Sequence, residues 1–156
     1  MCSNTTKTLH AFDYQNPHLT VACIVEDNGR FLIVEEHRDG RLVLNQPAGH
    51  LESGETLLQA AVRETREETA WSIELVSVTG LYLFTAANGT SYQRTCFFAR
   101  PLKYDADQPL DDGIVRARWM TLEEINQERH KLRSHLVLDC ILDYLNKPHY
   151  SLDLIR

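Results

Sequence analysis

The sequence has no apolar run long enough to cross a membrane, and its amino terminus lacks the basic and apolar regions of a signal peptide. Basic residues do not dominate either, since 16 lysines and arginines stand against 22 aspartates and glutamates, for a formal net charge of -6. An acidic chain of this kind is not typical of a general nucleic-acid binder or of a membrane-surface protein. We therefore expect a cytoplasmic protein that binds neither nucleic acid polymers nor membranes.

Paired cysteines of the type that bind zinc are also missing, because the four cysteines are scattered and show no CxxC spacing. Cys23 and Cys96 lie inside apolar runs and are expected to be buried thiols. The chain shows no internal repeat, low-complexity tract or linker. Its 156 residues are enough for one domain, 1–156, that buries a core without disulfides or zinc. Residues 1–17 are polar and irregular and are expected to form a flexible segment.

Alternating and β-branched apolar residues predict six strands, separated by turn signals such as Asn88-Gly89. Their predicted ranges are 19–26, 31–36, 42–44, 72–84, 90–102 and 114–120. One helix is expected within 49–71 and a second from the Thr121–Glu124 capping box to about residue 128. A third, capped by Ser134, carries apolar residues at the helical period over 136–145, and the tail 150–155 is expected to dock on the body. These elements predict an α/β sandwich.

The stretch 49–71 concentrates charge on one helix. With Leu58 as the core-facing direction, a stripe of expected width contains Ala61, Val62, Thr65 and Thr69. Glu64, Glu67 and Glu68 stand at i, i+3 and i+4 and therefore share a face beside that stripe. Water is only partly available at such an edge of the core.

Carboxylates at this spacing repel one another by about 0.2 to 0.5 kcal/mol per pair even in water, and by more where water is partly excluded. A hard divalent cation such as Mg²⁺ or Mn²⁺ would replace that repulsion by coordination, because these ions prefer oxygen ligands. The alternative is an exposed helix on which Arg63 and Arg66 neutralise the glutamates. The spacing alone does not decide between the two interpretations.

The residues that precede the helix favour the metal site. Five residues separate Gly49 from Glu55, seven separate Glu55 from the pair Arg63-Glu64, and two separate that pair from Glu67-Glu68. This order resembles the Nudix box, the signature of the Nudix hydrolase family. Five charged positions and one glycine match in register over some twenty residues of the chain.

Two positions depart from the box. Thr65 stands where an aliphatic residue is usual, although it still presents a methyl group to the core. Ala70 replaces the second glycine, and a residue just past a helix end often adopts the left-handed conformation, which is costly for any residue with a Cβ. The departure at Ala70 puts the exit of the helix in question but removes no expected ligand.

The resemblance implies an α/β/α sandwich with a mixed β-sheet between helices. It also implies a Mg²⁺- or Mn²⁺-dependent hydrolase of phosphoric anhydride bonds in small organic diphosphates or nucleotides. The metal ligands that it implies are Gly49, through a backbone carbonyl delivered by a loop, and Glu64, Glu67 and Glu68. The implied catalytic residues are Glu64, which binds metal or takes a proton from water, Arg63, which orients the glutamates, and Glu67; Glu55 is expected to be structural.

Residues 44–52 and 132–134 narrow the resemblance to a phosphatase subgroup of the family. Its members release phosphate from nucleoside tri- and diphosphates and from thiamine-pathway diphosphates, namely hydroxymethylpyrimidine diphosphate and thiamine diphosphate. One alternative is a Nudix hydrolase of ADP-ribose, of a dinucleoside polyphosphate or of an oxidised nucleotide. A second is a Nudix ligand-binding module without catalysis, which the complete set of charged box residues disfavours. The oligomeric state is not predicted.

Candidate substrate contacts lie outside the metal ligands. Flanking the box or opening the last helix are Glu36, Gln46, His50 and Arg133, although a solvated arginine beside a capped surface helix is the more ordinary interpretation of the last. Tyr82, Phe84 and Tyr92 are candidates for stacking on a ring, although strand aromatics more often belong to the core. Asp111-Asp112 is either a further metal contact or an acidic loop.

Overall fold

The structure is a computed structural model that describes residues 16–86 and 88–156. The prediction of a flexible segment at 1–17 falls almost wholly outside the described residues, as does Cys2. All six predicted strands are confirmed, with one short strand in addition. The elements are β1 (His18–Asp27), β2 (Arg30–Arg38), β3 (Arg41–Asn45), β4 (Ala48–His50), α1 (Leu57–Thr69), β5 (Trp71–Thr85), β6 (Ser91–Tyr104), β7 (Ile114–Thr121), α2 (Leu122–Gln127) and α3 (Leu136–Asn146).

The strands form one mixed sheet with the order β3-β2-β1-β6-β5, while β4 pairs with β1 and β7 pairs with β2. Strand β1 is its centre: it runs parallel to β6 over eight residue pairs and antiparallel to β4 and to the first two residues of β2. Strands β1 and β2, and likewise β5 and β6, are consecutive antiparallel pairs. The expected mixed sheet is therefore confirmed.

Alternation along β1 divides the core between the two faces of the sheet. Val21, Cys23 and Val25 pack with Ala60 and Ala61 of α1 on one face. On the other face, a second buried cluster joins β1 and β2 to the carboxyl-terminal helices: Ala22, Ile24, Phe31, Ile33, Ile125, Leu136, Cys140 and Ile141. The helices thus lie on both faces of the sheet, as the α/β/α prediction requires.

Helix α1 begins at Thr56, whose side chain forms a reciprocal capping box with Gln59. It ends at Ala70, which adopts the left-handed conformation with φ 61° and donates its N–H to the Arg66 carbonyl at 2.8 Å. The chain therefore keeps the helix exit that the second box glycine would provide, at the cost of an alanine in a region where Cβ is crowded. The departure at Ala70 does not change the exit geometry.

Three local predictions are wrong. Gly49 lies in strand β4, opposite Val21, and not in a loop, because the residues after Pro47 return to pair with β1. Ser134 does not cap α3, whose N-cap is His135 without any side-chain bond. Val62 is exposed, whereas Glu64 and Glu68 are buried with Thr65 and Thr69, so the buried stripe of α1 is rotated toward the carboxylates.

The tail docks on the body as predicted. Tyr150 forms a backbone bridge to Val78, and Leu152 and Ile155 pack against the cluster under α1. Among residues 16–86 and 88–156, no helix combines the length and apolar character that a membrane crossing needs.

Candidate active site

Arg63 is the hub of the charged face of α1. Its guanidinium donates to both carboxylate oxygens of Glu55, at 3.0 and 2.6 Å, and to the carboxylates of Glu64 and Glu67 at 2.9 and 3.0 Å. It also donates to the backbone carbonyl of His50 at 3.0 Å, which ties the helix to strand β4. These bonds, of which the pair to Glu55 is the largest cause, raise the pKa of Arg63. Arg63 therefore holds three glutamates and the preceding loop in one arrangement.

Arg66 does not share this role. Its side chain turns away from the glutamates and contacts Gln108 and Asp105. The interpretation of α1 as a helix with two arginines neutralising its glutamates therefore holds for Arg63 alone.

Glu64, Glu67 and Asp111 form an acidic cluster in which each offers a carboxylate oxygen, and these oxygens lie within 4.8 Å of one another. Asp111 reaches the cluster because its backbone N–H donates to the Glu67 carbonyl at 3.0 Å, which fixes the acidic loop against the end of α1. Burial raises the pKa of Glu64, and burial together with Glu67 raises the pKa of Asp111. The anionic forms of Glu64 and Asp111 are thus less stable here than in water.

Glu68 is held on the other side of Glu64, against β4. Its carboxylate accepts the Ala48 N–H at 2.9 Å in a buried position. Burial raises the pKa of Glu68 to about 8, although the bond from Ala48 acts in the opposite direction. Glu68 shares the cleft with Glu64 but does not belong to the cluster of Glu64, Glu67 and Asp111.

Gly49 is the point where the helix and the sheet come closest. A Cβ built on Gly49 would overlap the Glu64 carboxylate, so glycine at this position gives that carboxylate its space. Its backbone is not in the left-handed region, so the requirement is steric and not conformational. The first residue of the box therefore acts directly on the position of Glu64.

Glu64, Glu68 and Asp111 line a cleft of about 940 Å³. Its lining includes Thr20, Glu36, Asn45, Gly49, His50, Glu64, Glu68, Phe84, Tyr92, Arg94, Asp111, Asp112 and Arg133. Of the predicted substrate residues, Glu36, His50 and Arg133 line this cleft. Arg133 donates to Glu36 at 2.8 Å, and burial, aided by the positive charges of Arg133 and Arg38, lowers the pKa of His50.

Gln46 and Tyr82, also predicted as substrate contacts, are not in the cleft lining. Gln46 is buried and donates to the Val137 carbonyl of α3 at 2.7 Å, so its amide holds the helix to the sheet. The Tyr82 hydroxyl donates to Asp143 at 3.0 Å on the same helix. Both side chains are used in packing α3.

Phe84 and Tyr92, the other two stacking candidates, do line the cleft, and their rings stack with centroids 5.2 Å apart. Arg94, which sequence reasoning missed, lies beside them, with its guanidinium carbon 5.9 Å from the Phe84 ring centroid. The sequence does not reveal that this arginine is buried, because an arginine within an alternating strand is expected to be one of the exposed residues.

The donor set fits a hard divalent cation. Carboxylates with partly excluded water, next to a backbone stretch in β4, provide the oxygen ligands that Mg²⁺ and Mn²⁺ prefer, and no histidine or cysteine belongs to the cluster of Glu64, Glu67 and Asp111. Three mutually repelling carboxylates are also difficult to explain as a structural device. Gly49, Glu64, Glu67, Glu68 and Asp111 are the residues available to hold such an ion.

Comparison with known proteins defines the class. A model of the NUDIX domain matches residues 16–139, which is most of the chain, so this chain belongs to the Nudix family. It is accordingly a hydrolase of phosphoric anhydride bonds, built on the sheet and helices described above.

The relatives are more specific than the family. The chain is 41% identical over 139 residues to Phosphatase NudJ of Escherichia coli K12, covering 89% of this chain and 90% of that protein, and the same figures hold for Phosphatase NudJ of Shigella flexneri. A NUDIX hydrolase from Nitrosomonas europaea is 43% identical with a TM-score of 0.88, over 90% of this chain and 97% of its own. The resemblance to the phosphatase subgroup, that of NudJ, is therefore confirmed.

Proposed function

We propose that this protein is a divalent-metal-dependent phosphatase that releases phosphate from nucleoside tri- and diphosphates and from thiamine-pathway diphosphates, hydroxymethylpyrimidine diphosphate and thiamine diphosphate among them. The observation that carries the proposal is the carboxylate cluster at the edge of a cleft, in a chain 41% identical to Phosphatase NudJ over most of its length. The metal is proposed to be Mg²⁺, with Mn²⁺ as a substitute.

The proposed ligands are Glu64, Glu67, Glu68 and the carbonyl of Gly49, with Asp111 as a further ligand. When bound, the metal would supply a nucleophilic water and neutralise the charge that develops on the phosphoryl oxygens. Burial, which raises the pKa of Glu64, makes this carboxylate a stronger base than an exposed glutamate, and we propose that it takes the proton from that water. Arg63 holds Glu64 and Glu67 in place through its bonds at 2.9 and 3.0 Å.

The cleft supports a small-molecule substrate. A volume of about 940 Å³ accommodates a nucleotide or a thiamine-sized diphosphate, and the Phe84–Tyr92 pair provides an aromatic wall for a planar ring. Arg133, paired with Glu36, is proposed to meet the substrate at the start of α3.

A panel of substrates tests the proposal. Nucleoside tri- and diphosphates, thiamine diphosphate and ADP-ribose are incubated with the protein and Mg²⁺, and phosphate and pyrophosphate are measured separately. We expect phosphate from the nucleotides and from thiamine diphosphate, loss of turnover in EDTA, and at least a 100-fold decrease in kcat for Glu64→Gln. Glu74→Gln, at an exposed glutamate on β5, is the matched control and is expected to keep the wild-type rate.

Two results would contradict the proposal in different ways. Pyrophosphate from nucleoside triphosphates, with thiamine diphosphate untouched, would indicate a Nudix hydrolase of another substrate class. Metal-independent binding of the panel without any turnover would indicate a non-catalytic ligand-binding module.

A further inference from the structure

Arg94 is a buried cation in the cleft whose charge is not paired with a carboxylate among the described residues. It lies on β6 and is only 7% exposed. Two of its donors, Nε and Nη1, are inaccessible and have no hydrogen-bond partner within residues 16–86 and 88–156. It also forms no salt bridge with any residue in those ranges. By contrast, Arg63, Arg118 and Arg133 each form at least one ion pair.

The aromatic neighbour of Arg94 does not provide the hydrogen-bond acceptor that its guanidinium lacks. The Phe84 ring lies 5.9 Å from the guanidinium carbon and attracts it, but a ring face offers no lone pair to an N–H group. Burying a guanidinium is unfavourable unless an acceptor or an anion replaces the lost water. A side chain with unused donors that lines a cleft is therefore poised for a ligand from outside the chain.

The sheet places Arg94 next to the carboxylate site. Thr20 of β1 pairs with His50 of β4 on one side and with Arg94 of β6 on the other, so the three residues form one row across the sheet. Two strand spacings, about 10 Å, separate the backbones of β4 and β6. Gly49 and the Glu64 carboxylate lie at the β4 end of this row, and a molecule of nucleotide size can reach both ends.

We propose that Arg94 is an anion-binding residue that takes a phosphate group of the substrate, two strands across the sheet from Gly49 and the Glu64 carboxylate. The inference rests on the proposed function, because it assigns the second contact of the same substrate. The guanidinium donates to phosphate oxygens from its place in the cleft lining, while Phe84 and Tyr92 form the adjoining wall. No other residue in the lining combines a full positive charge with this degree of burial.

Steady-state kinetics and direct binding test the assignment with Arg94→Met and Arg94→Lys. A phosphate contact that is present in both ground and transition states should raise KM by about 10- to 100-fold in Arg94→Met and leave kcat within about 3-fold, with partial rescue in Arg94→Lys. Calorimetry with inorganic pyrophosphate on the metal-free protein should show a similar loss of affinity. Arg100→Met is the matched control, since Arg100 is an exposed arginine on the same strand.

Thermal stability separates a binding role from a structural one. Because Arg94 has unused donors, Arg94→Met without ligand should melt at or above the wild-type temperature, and pyrophosphate should raise the melting temperature of the wild type more than that of the variant. A lower melting temperature with unchanged pyrophosphate affinity would overturn the inference. Arg94-dependent binding of a nucleoside that carries no phosphate would also overturn it, since a base and not a phosphate would then be the ligand.

The same experiments distinguish this inference from the proposed function. If the wild type turned over no substrate but still bound pyrophosphate through Arg94, the anion site would stand and the phosphatase would fall. If the wild type were an active phosphatase and Arg94→Met had an unchanged KM, the phosphatase would stand and the anion site would fall.

Discussion

Replacing Gly49 by alanine tests the geometry of the site with a single methyl group. The new Cβ would overlap the Glu64 carboxylate, which must then leave its position between Arg63 and β4. The backbone at Gly49 has an ordinary φ, so alanine meets no conformational strain there. The substitution therefore displaces one carboxylate and little else.

The effect on folding should be small. Removing the glycine stabilises by about 0.4 to 1 kcal/mol through the unfolded chain. An altered Glu64 rotamer costs about 0.5 to 1.5 kcal/mol, and the lost Arg63–Glu64 bond adds about 1.5 kcal/mol or less, because Arg63 keeps Glu55 and Glu67. The free energy of unfolding should thus fall by at most about 2.6 kcal/mol. Turnover should fall by about 100-fold or more, since misplacing a catalytic group by about 1 Å has that effect.

Chemical denaturation and kcat at saturating Mg²⁺ are measured on the same preparations. The control is Gly29→Ala in the β1–β2 turn, where φ is +77° and nothing lies within 4 Å of the added Cβ. This control should lose about 1 kcal/mol of stability from backbone strain and keep the wild-type kcat. In a double-mutant cycle, Gly49→Ala should add little to the defect of Glu64→Ala. A kcat within 3-fold of wild type for Gly49→Ala would refute the role given to the Glu64 position.

Three further substitutions test the carboxyl-terminal end of the same helix. Ala70→Val should lower the free energy of unfolding by about 2 kcal/mol or more, measured by urea denaturation, because a β-branched residue is strongly disfavoured at φ 61°. Ala70→Gly should be close to neutral, since relief of about 1 kcal/mol of strain is offset by the loss of a buried methyl group. For Glu68, whose pKa is raised by burial to about 8, the folded state binds the proton more tightly than the unfolded one. In EDTA, the contribution of Glu68 to stability should therefore be complete below pH 4.5 and decline by up to about 4 kcal/mol as pH rises to 8. Glu68→Gln should remove most of that decline, measured by urea denaturation at about pH 5.5 and 8.

The charged face of α1 was predictable from the sequence because its contacts are local. Arg63 reaches Glu64 and Glu67 within one helical turn, and Glu55 lies just before the helix, so spacing along the chain determines which groups meet. The strands were predictable for a similar reason, since alternation and turn residues are properties of short segments. The pairing of the strands, including the return of β4 to β1, depends on the whole sheet and could not be read from short segments.

Residues brought in by distant segments were harder to place. Asp111 joins Glu64 and Glu67 across more than forty residues. Gln46 and Tyr82 donate hydrogen bonds to the Val137 carbonyl and the Asp143 carboxylate of α3. No local sequence pattern predicts contacts between side chains that are this far apart along the chain. Arg94 was missed because what distinguishes it is a buried guanidinium with donors that lack acceptors. That property can be recognised only when both the burial and the hydrogen-bond partners of the side chain are known.

The cations of the cleft counteract the repulsion between this acidic protein and a phosphorylated ligand. A chain of net charge -6 that places Glu64, Glu68 and Asp111 in one cleft repels a phosphorylated ligand. The same cleft is also lined by cations from separate elements: Arg38, Arg41, Arg94, Lys131 and Arg133. Arg38 and Arg41 are exposed, so salt screens them and they serve mainly to attract the anion, whereas a buried cation is screened much less. Arg94 is therefore the cation that can hold a phosphate after it arrives. Burying its guanidinium without a partner is unfavourable, and a bound anion would offset that cost.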